Sequence, residues 1–299
     1  MLLNGSLPTP PKPTSIGHEA TGEVIYVGPK AKGGFKVGDK IGFINAYGAC
    51  FNCKGCACHY VYCSSPKFQM QGFAIDGFFQ EYSIVDPSTA IVLPQGMDAT
   101  KSAPVFCAGI TAYHGVVRAG LQPGETLAVM GCGGLGQLAI RYAKALGLKV
   151  VAIDVDDKIL ALAKQAGVEH TFNSRSDPEY AEKIHKLTDG GVDAVAVYTA
   201  VKAGYEAAPK VVKLGGNLVV VGTPSEPIAF QPIEVAFSKI RILGASNHAD
   251  PAELKACAEF TVKHGIESPS RFYKIDQIEE MVDSMLKHTT DGNRLAVIF

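Results

Sequence analysis

The chain has 299 residues, of which 47% are hydrophobic, 19% charged and 32 are glycine. That is the length of about two domains and the composition of a packed globular protein rather than a disordered or fibrous one. The formal net charge of −1 implies no broad basic face, so neither nucleic acid nor an acidic membrane is an expected partner. No apolar run reaches the ~18 residues of a membrane span. The opening MLLNGSLPTPPKP has neither a basic start nor a long apolar segment, so no signal peptide is expected and a cytoplasmic location is.

In chain order, residues 1–100 are rich in Gly, Pro, Val, Ile, Phe and Tyr. Strand-like runs at 22–27 and 82–85 sit between turn signals such as Gly28-Pro29, Gly33-Gly34 and Gly38-Asp39, which predicts irregular β structure. Near residue 100 the pattern changes. An apolar strand is predicted over 126–130 and a helix over 135–145, with Leu138, Tyr142 and Ala145 on one face. A strand at 148–153 and a helix at 156–166 follow, and Asp177-Pro178 reads as a helix start. Further strands are predicted at 194–198, 218–221 and 240–243. Strands that are apolar throughout and alternate with helices predict a parallel sheet covered on both faces. A helix near 277–287 and a strand at 295–299 close the chain, and no internal repeat is apparent.

Gly131-Cys132-Gly133-Gly134-Leu135-Gly136 fits G-x-G-x-x-G. It follows a predicted strand, opens a predicted helix, and has an acidic residue, Asp154, eighteen positions after its last glycine. In that setting the glycines permit a tight turn and close backbone approach, and the helix N-terminus offers N–H groups to a pyrophosphate. Asp154 is placed to accept from the adenosine ribose hydroxyls and to repel a 2′-phosphate, so NAD is expected rather than NADP. Cys132 reads as a small filler of the loop.

Eight cysteines are present, and five of them, Cys50, Cys53, Cys56, Cys58 and Cys63, fall within fourteen residues. In a large chain with no export signal this reads as a metal site before it reads as disulfides. The C-x-x-C-x-x-C spacing of Cys50, Cys53 and Cys56 lets a loop wrap a tetrahedral zinc. Cys63 is the preferred fourth ligand, since six intervening residues let the chain cross the metal; Cys58 and His59 are nearer in sequence but sterically awkward. Four thiolates with no open position make a structural zinc rather than a catalytic one.

These features, together with Gly17-His18-Glu19-Ala20-Thr21-Gly22, the run from Pro104 through Cys107-Ala108-Gly109-Ile110-Thr111, and Gly292-Asn293-Arg294, resemble the zinc-dependent medium-chain alcohol dehydrogenases in order along essentially the whole chain. The resemblance is closest to the tetrameric, yeast-type members. It implies an α/β fold: a Rossmann doubly wound parallel sheet over 109–264, plus a GroES-like β-rich catalytic domain over 1–108 completed by 265–299. It also implies a catalytic zinc on His18 and Cys107, with Glu19 as the neighbouring carboxylate that ligates in some states. Thr111 and Leu135 match positions lining the nicotinamide. Lys158 approximates a lysine near the adenosine ribose, offset by one residue. Arg294 matches an arginine that pairs with the pyrophosphate, against the plain alternative of a surface arginine.

The activity so implied is metal-assisted hydride transfer between a primary or secondary alcohol and NAD, giving an aldehyde or ketone, in a homodimer or homotetramer. The resemblance also implies a third zinc ligand, a cysteine, then a relay Ser or Thr and an Asp ahead of the G-H-E motif. The sixteen residues before Gly17 hold no Cys, His or Asp. Met1-Leu2-Leu3-Asn4-Gly5 resembles the helix end that follows that missing motif, so the chain reads as an N-terminally truncated member with an incomplete catalytic zinc site. Ser6, Thr9, Thr14 and Ser15 are candidate hydroxyls without an assigned position. Two alternatives stand beside the dehydrogenase: an inactive NAD- and zinc-binding remnant, and another medium-chain reductase of the quinone or enoyl type.

Overall fold

The computed structural model describes residues 14–287 and 289–299. Met1–Gly5, Ser6 and Thr9 lie outside the described residues. The described residues fall into two compact units, one of 14–110, 248–287 and 295–299 and the other of 111–247 and 289–294. The sequence-based domain boundaries at 108 and 264 differ from these chiefly at the second, because residues 248–264 pack with the β-rich unit.

The β-rich unit begins with β1 (Ala20–Glu23), β2 (Lys40–Phe43), β3 (Ala46–Tyr47), α1 (Lys54–Cys58), β4 (Gln69–Met70) and β5 (Ala90–Val92). The strands β1, β2 and β5 form an antiparallel sheet in that order, and β3 pairs with β4. Ile41, Phe43, Phe78 and Ala90 are buried between them, with the Phe43 and Phe78 rings edge-on at 4.8 Å. The strands are short because turn residues interrupt them. The run predicted as a strand at 22–27 leaves the ladder after Glu23, and its next residue is held through Val24 N–H to the Asp39 carbonyl.

The run at 82–85 is not a strand. Its alternation is real, but Tyr82 and Ile84 point their apolar side chains to solvent and, among the described residues, no neighbouring strand pairs with them.

The second unit contains α2 (Ala108–Val117), β6 (Thr126–Met130), α3 (Gly134–Ala145), β7 (Lys149–Asp154), α4 (Asp157–Gln165) and β8 (His170–Asn173). It continues with α5 (Tyr180–Leu187), β9 (Val192–Val197), α6 (Lys202–Ala207), β10 (Val212–Val220), α7 (Pro232–Ala236) and β11 (Ile240–Gly244). The six strands pair in parallel in the order β11-β10-β9-β6-β7-β8. This is the doubly wound arrangement, and its order reverses between β6 and β9. The strands are buried on both faces, with Leu127, Ala128, Val129, Val195, Ala196 and Val197 fully enclosed, which is why they read as continuous apolar runs.

Two expectations need correction. The helix expected to start at Asp177-Pro178 starts at Tyr180: the Asp177 carboxylate accepts from Glu179 N–H at 3.1 Å and pairs with Lys183, capping a turn that precedes the helix. The strand expected at 218–221 is the end of a longer one, because Gly215-Gly216 falls at an irregularity between Val212 and Asn217 that hides its first half.

The β-rich unit resumes with α8 (Pro251–Lys263), β12 (Ser270–Tyr273) and α9 (Ile278–Leu286), and with all but the first residue of β13 (Arg294–Val297), which pairs with β12. Asp250 and Glu253 form a reciprocal capping box around Pro251 at the first turn of α8. Leu254, Cys257, Ala258 and Thr261 form its buried stripe at helical spacing.

Candidate functional site

The cysteine lobe is built from two tight turns. Cys53 caps α1 and its sulfur accepts from Cys56 N–H at 3.4 Å. The chain then returns through a 3-10 turn over Tyr60–Tyr62 that ends on Cys63. Gly55 permits the return, because a Cβ there would run into the Tyr62 carbonyl. The result gathers the sulfurs of Cys50, Cys53, Cys56 and Cys63 within 4.8 Å of one another. Cys58 and His59 are not in the set, and His59 Nδ1 instead accepts from Val61 N–H at 3.1 Å.

The fit to zinc can be tested by geometry. Zinc–sulfur bonds of about 2.3 Å in a tetrahedron put the sulfurs about 3.8 Å apart. The Cys50–Cys56 and Cys50–Cys63 separations are 3.9 and 3.6 Å. A disulfide needs about 2.05 Å. The donors suit a cation as well. The N–H groups of Ser64 and Cys56 hold the Cys53 thiol down to about 5, whereas burial pushes Cys56 up to about 12. Burial also raises Cys63, but the N–H groups of Cys50 and Ser65 outweigh it and leave a net lowering. Four thiols packed this closely hold several negative charges only when a cation sits among them.

The second cluster joins His18, Glu19 and Cys107, whose ligand atoms lie within 4.8 Å of one another. His18 follows Gly17, whose φ of 98° is a conformation that other residues rarely adopt. That turn is clamped by Phe78 N–H to the Gly17 carbonyl at 3.0 Å and Phe79 N–H to the Ile16 carbonyl at 2.9 Å. The His18 ring rests 5.2 Å from Phe73, and its Nε2 is 3.9 Å from Glu19 Oε1. Cys107 is anchored from behind. Its neighbour Phe106 is fully buried, with its ring filling the space over Gly42 of β2 where a Cβ would otherwise stand. One nitrogen, one carboxylate oxygen and one sulfur are a donor set that zinc accepts, and three protein ligands leave a fourth position open. Thr14 and Ser15 lie on the segment leading into this turn, where Ser15 N–H donates to Asp76.

The glycine loop lies between β6 and α3. Gly131 has a φ of 88°, and its own carbonyl lies where a Cβ on Gly136 would fall, so the loop and the helix can close up only as glycines. Gly133 faces open space: a Cβ there meets nothing within 4 Å. Asp154 at the end of β7 accepts from Cys132 N–H at 2.6 Å, Val155 N–H at 2.7 Å and Asp156 N–H at 3.1 Å. Arg294 lays its side chain against the start of α3, with Cδ 3.0 Å from the Cβ position of Gly134. Leu135 is half-buried in the first turn of α3, Thr111 is half-buried in α2, and Lys158 is exposed in the first turn of α4. Cys132 is fully buried, and burial drives its thiol upward, away from the reactive thiolate.

One residue behind the loop gave no signal in the sequence. Gln137, fully buried in α3, donates from Nε2 to the Cys132 carbonyl at 2.9 Å. A single glutamine on an otherwise apolar helix face matches no motif.

Two family models cover the chain: "Alcohol dehydrogenase GroES-like domain" over residues 1–95 and "Zinc-binding dehydrogenase" over 134–263. An alcohol dehydrogenase of Geobacillus stearothermophilus is 34% identical over 296 residues, covering 97% of this chain and 85% of that protein. The chain belongs to the zinc-type medium-chain alcohol dehydrogenase family. As a member of that family it is an oxidoreductase, and its β-rich unit is the GroES-like domain.

Solved structures agree on the fold. The alcohol dehydrogenase of the hyperthermophilic archaeon Aeropyrum pernix matches with a TM-score of 0.84 at 26% identity, covering 96% of this chain and 83% of that one. Acetophenone reductase from Geotrichum candidum, in complex with NAD, matches with a TM-score of 0.83 at 24% identity, covering 99% and 84%. Among the described residues no helix is long and apolar enough to cross a membrane.

Proposed function

We propose that the protein is a zinc- and NAD-dependent alcohol dehydrogenase that interconverts a primary or secondary alcohol with its aldehyde or ketone. The observation that carries this reading is the convergence of His18, Glu19 and Cys107 in a chain of this family. These three residues would hold the catalytic zinc, and Cys50, Cys53, Cys56 and Cys63 would hold a structural one. A bound zinc at the first site supplies Lewis acidity, which lowers the pKa of an alcohol.

The chain's own residues do the rest. Cys107 offers a sulfur, Glu19 a carboxylate oxygen and His18 a ring nitrogen to the site. Phe73, against the His18 ring, gives the site an apolar wall. In the second unit, the α3 N-terminus and Arg294 would receive the dinucleotide pyrophosphate, and Asp154 would receive a ribose hydroxyl and favour NAD. Thr111 and Leu135 would border the nicotinamide, and Lys158 would stand near the adenosine end. A bound NAD would supply the acceptor for the carbinol hydride, and the hydroxyl proton would pass to solvent.

The direct test is NADH formation by purified, zinc-loaded protein across a series of primary and secondary alcohols. Turnover that needs both zinc and NAD supports the reading. No turnover of any alcohol, with no reduction of the matching aldehydes and ketones by NADH, overturns it.

A further inference from the structure

Gln137 is a fully buried polar side chain in a helix whose buried face is otherwise apolar, and every part of it is engaged. Its Nε2 donates to the Cys132 carbonyl at 2.9 Å, and reaches toward the Ile159 carbonyl at 3.5 Å. Its Oε1 accepts from Arg141 Nη1 at 3.2 Å, and the same nitrogen donates to the Gln137 carbonyl at 2.8 Å. The guanidinium, which can only donate, fixes which end of the amide faces the loop. Gln137 therefore presents a donor, not an acceptor, to the peptide between Cys132 and Gly133.

That peptide is trans and planar, so its carbonyl and its N–H point in opposite directions. With the Cys132 carbonyl drawn inward to Gln137, the Gly133 N–H is turned outward. Gly133 is also the residue of the loop whose Cβ position is open. The other flank of the loop is locked separately, by Cys132 N–H donating to Asp154. Glycine at 133 leaves the outward peptide free to rotate, since nothing in its own side chain resists a flip.

We infer that Gln137 is a positioning residue for the dinucleotide: by holding the Cys132 carbonyl inward it keeps the Gly133 N–H aimed at the pyrophosphate. This rests on the dinucleotide reading above. Gln137 does not touch the cofactor; it acts through one peptide plane. Its loss therefore affects ligands that carry the pyrophosphate and spares those that do not.

The experiment compares ADP-ribose, NAD and adenosine binding by titration calorimetry in the wild type, Gln137→Met and Gln137→Glu. Met keeps the length of the side chain without its polar atoms; Glu keeps the acceptor for Arg141 and cannot donate to the Cys132 carbonyl. Both variants are expected to weaken ADP-ribose and NAD by about tenfold, the scale of one hydrogen bond, and to leave adenosine unchanged. Equal weakening of all three ligands, or of none, overturns the inference.

Amide exchange in the wild type supplies a readout that needs no variant. ADP-ribose is expected to slow exchange of the Gly133 N–H, and adenosine is not; an unprotected Gly133 in the ADP-ribose complex overturns the inference. A wild type that binds neither ADP-ribose nor NAD overturns the dinucleotide reading itself, whereas normal wild-type binding with indifferent variants overturns only the role of Gln137.

Discussion

Asp154 accepts three backbone N–H groups, from Cys132, Val155 and Asp156. A carboxylate offers about four acceptor positions, so one direction remains for a ligand hydroxyl. The side chain is thus aimed by its own loop before any cofactor arrives, and its charge is what a 2′-phosphate would meet. Asp154→Asn keeps one acceptor oxygen and removes the charge. It should narrow the preference for NAD over NADP by about 1–3 kcal/mol, the range for hydrogen bonds that involve charged groups. Calorimetric titration of both cofactors against both proteins measures it, and an unchanged ratio would show that the charge does not discriminate. The position of Asp154 beside the glycine loop was readable from its spacing, because the motif and the strand end fix where that residue stands. Gln137 was not, because its role lies in one carbonyl it reaches, and no residue spacing records that.

At the scale of elements, residues 50–65 of the cysteine lobe bury only two side chains, Cys56 and Tyr60. The only buried residue of α1 is Cys56, and Cys50 and Cys58 are exposed. A segment with so few buried apolar groups depends on its cross-link for order. Chelation of the metal should therefore expose residues 50–65 to proteases well before the parallel sheet unfolds. Limited proteolysis followed by mass spectrometry locates the cuts. First cleavage elsewhere, or resistance equal to that of the zinc-loaded protein, would count against a structural zinc there. The convergence of Cys50, Cys53, Cys56 and Cys63 was legible because sulfur at C-x-x-C-x-x-C spacing has few other uses. The apolar pattern was less dependable outside the parallel sheet. Strands buried on both faces, such as β6 and β9, announce themselves as unbroken apolar runs. By contrast, 82–85 alternates like a strand and is not one, and α8 falls in the β-rich unit although its sequence follows directly on the α/β segment. Tertiary pairing decides both cases, and no local pattern contains it.

For the molecule as a whole, the two parts of the proposed chemistry reside in different compact units. His18, Glu19 and Cys107 belong to the β-rich unit; the glycine loop, Asp154 and Arg294 belong to the other. Binding of the dinucleotide and turnover of the alcohol should then separate under mutation. Cys107→Ser replaces the soft sulfur donor of the proposed zinc site with a hydroxyl of nearly the same size, and the anchoring Phe106 beside it is untouched. NADH formation is expected to fall by about 10²-fold or more, since even residues that merely orient a metal ligand cost 10–100-fold when lost. NAD affinity is expected to stay within about twofold of the wild type, as for mutations at independent sites. Steady-state kinetics at saturating zinc, paired with calorimetric titration of NAD, measure the two quantities on one preparation. Undiminished turnover in Cys107→Ser would place the chemistry away from the His18–Glu19–Cys107 cluster. A matching loss of NAD affinity would mean instead that the cluster supports the fold on which the second unit depends.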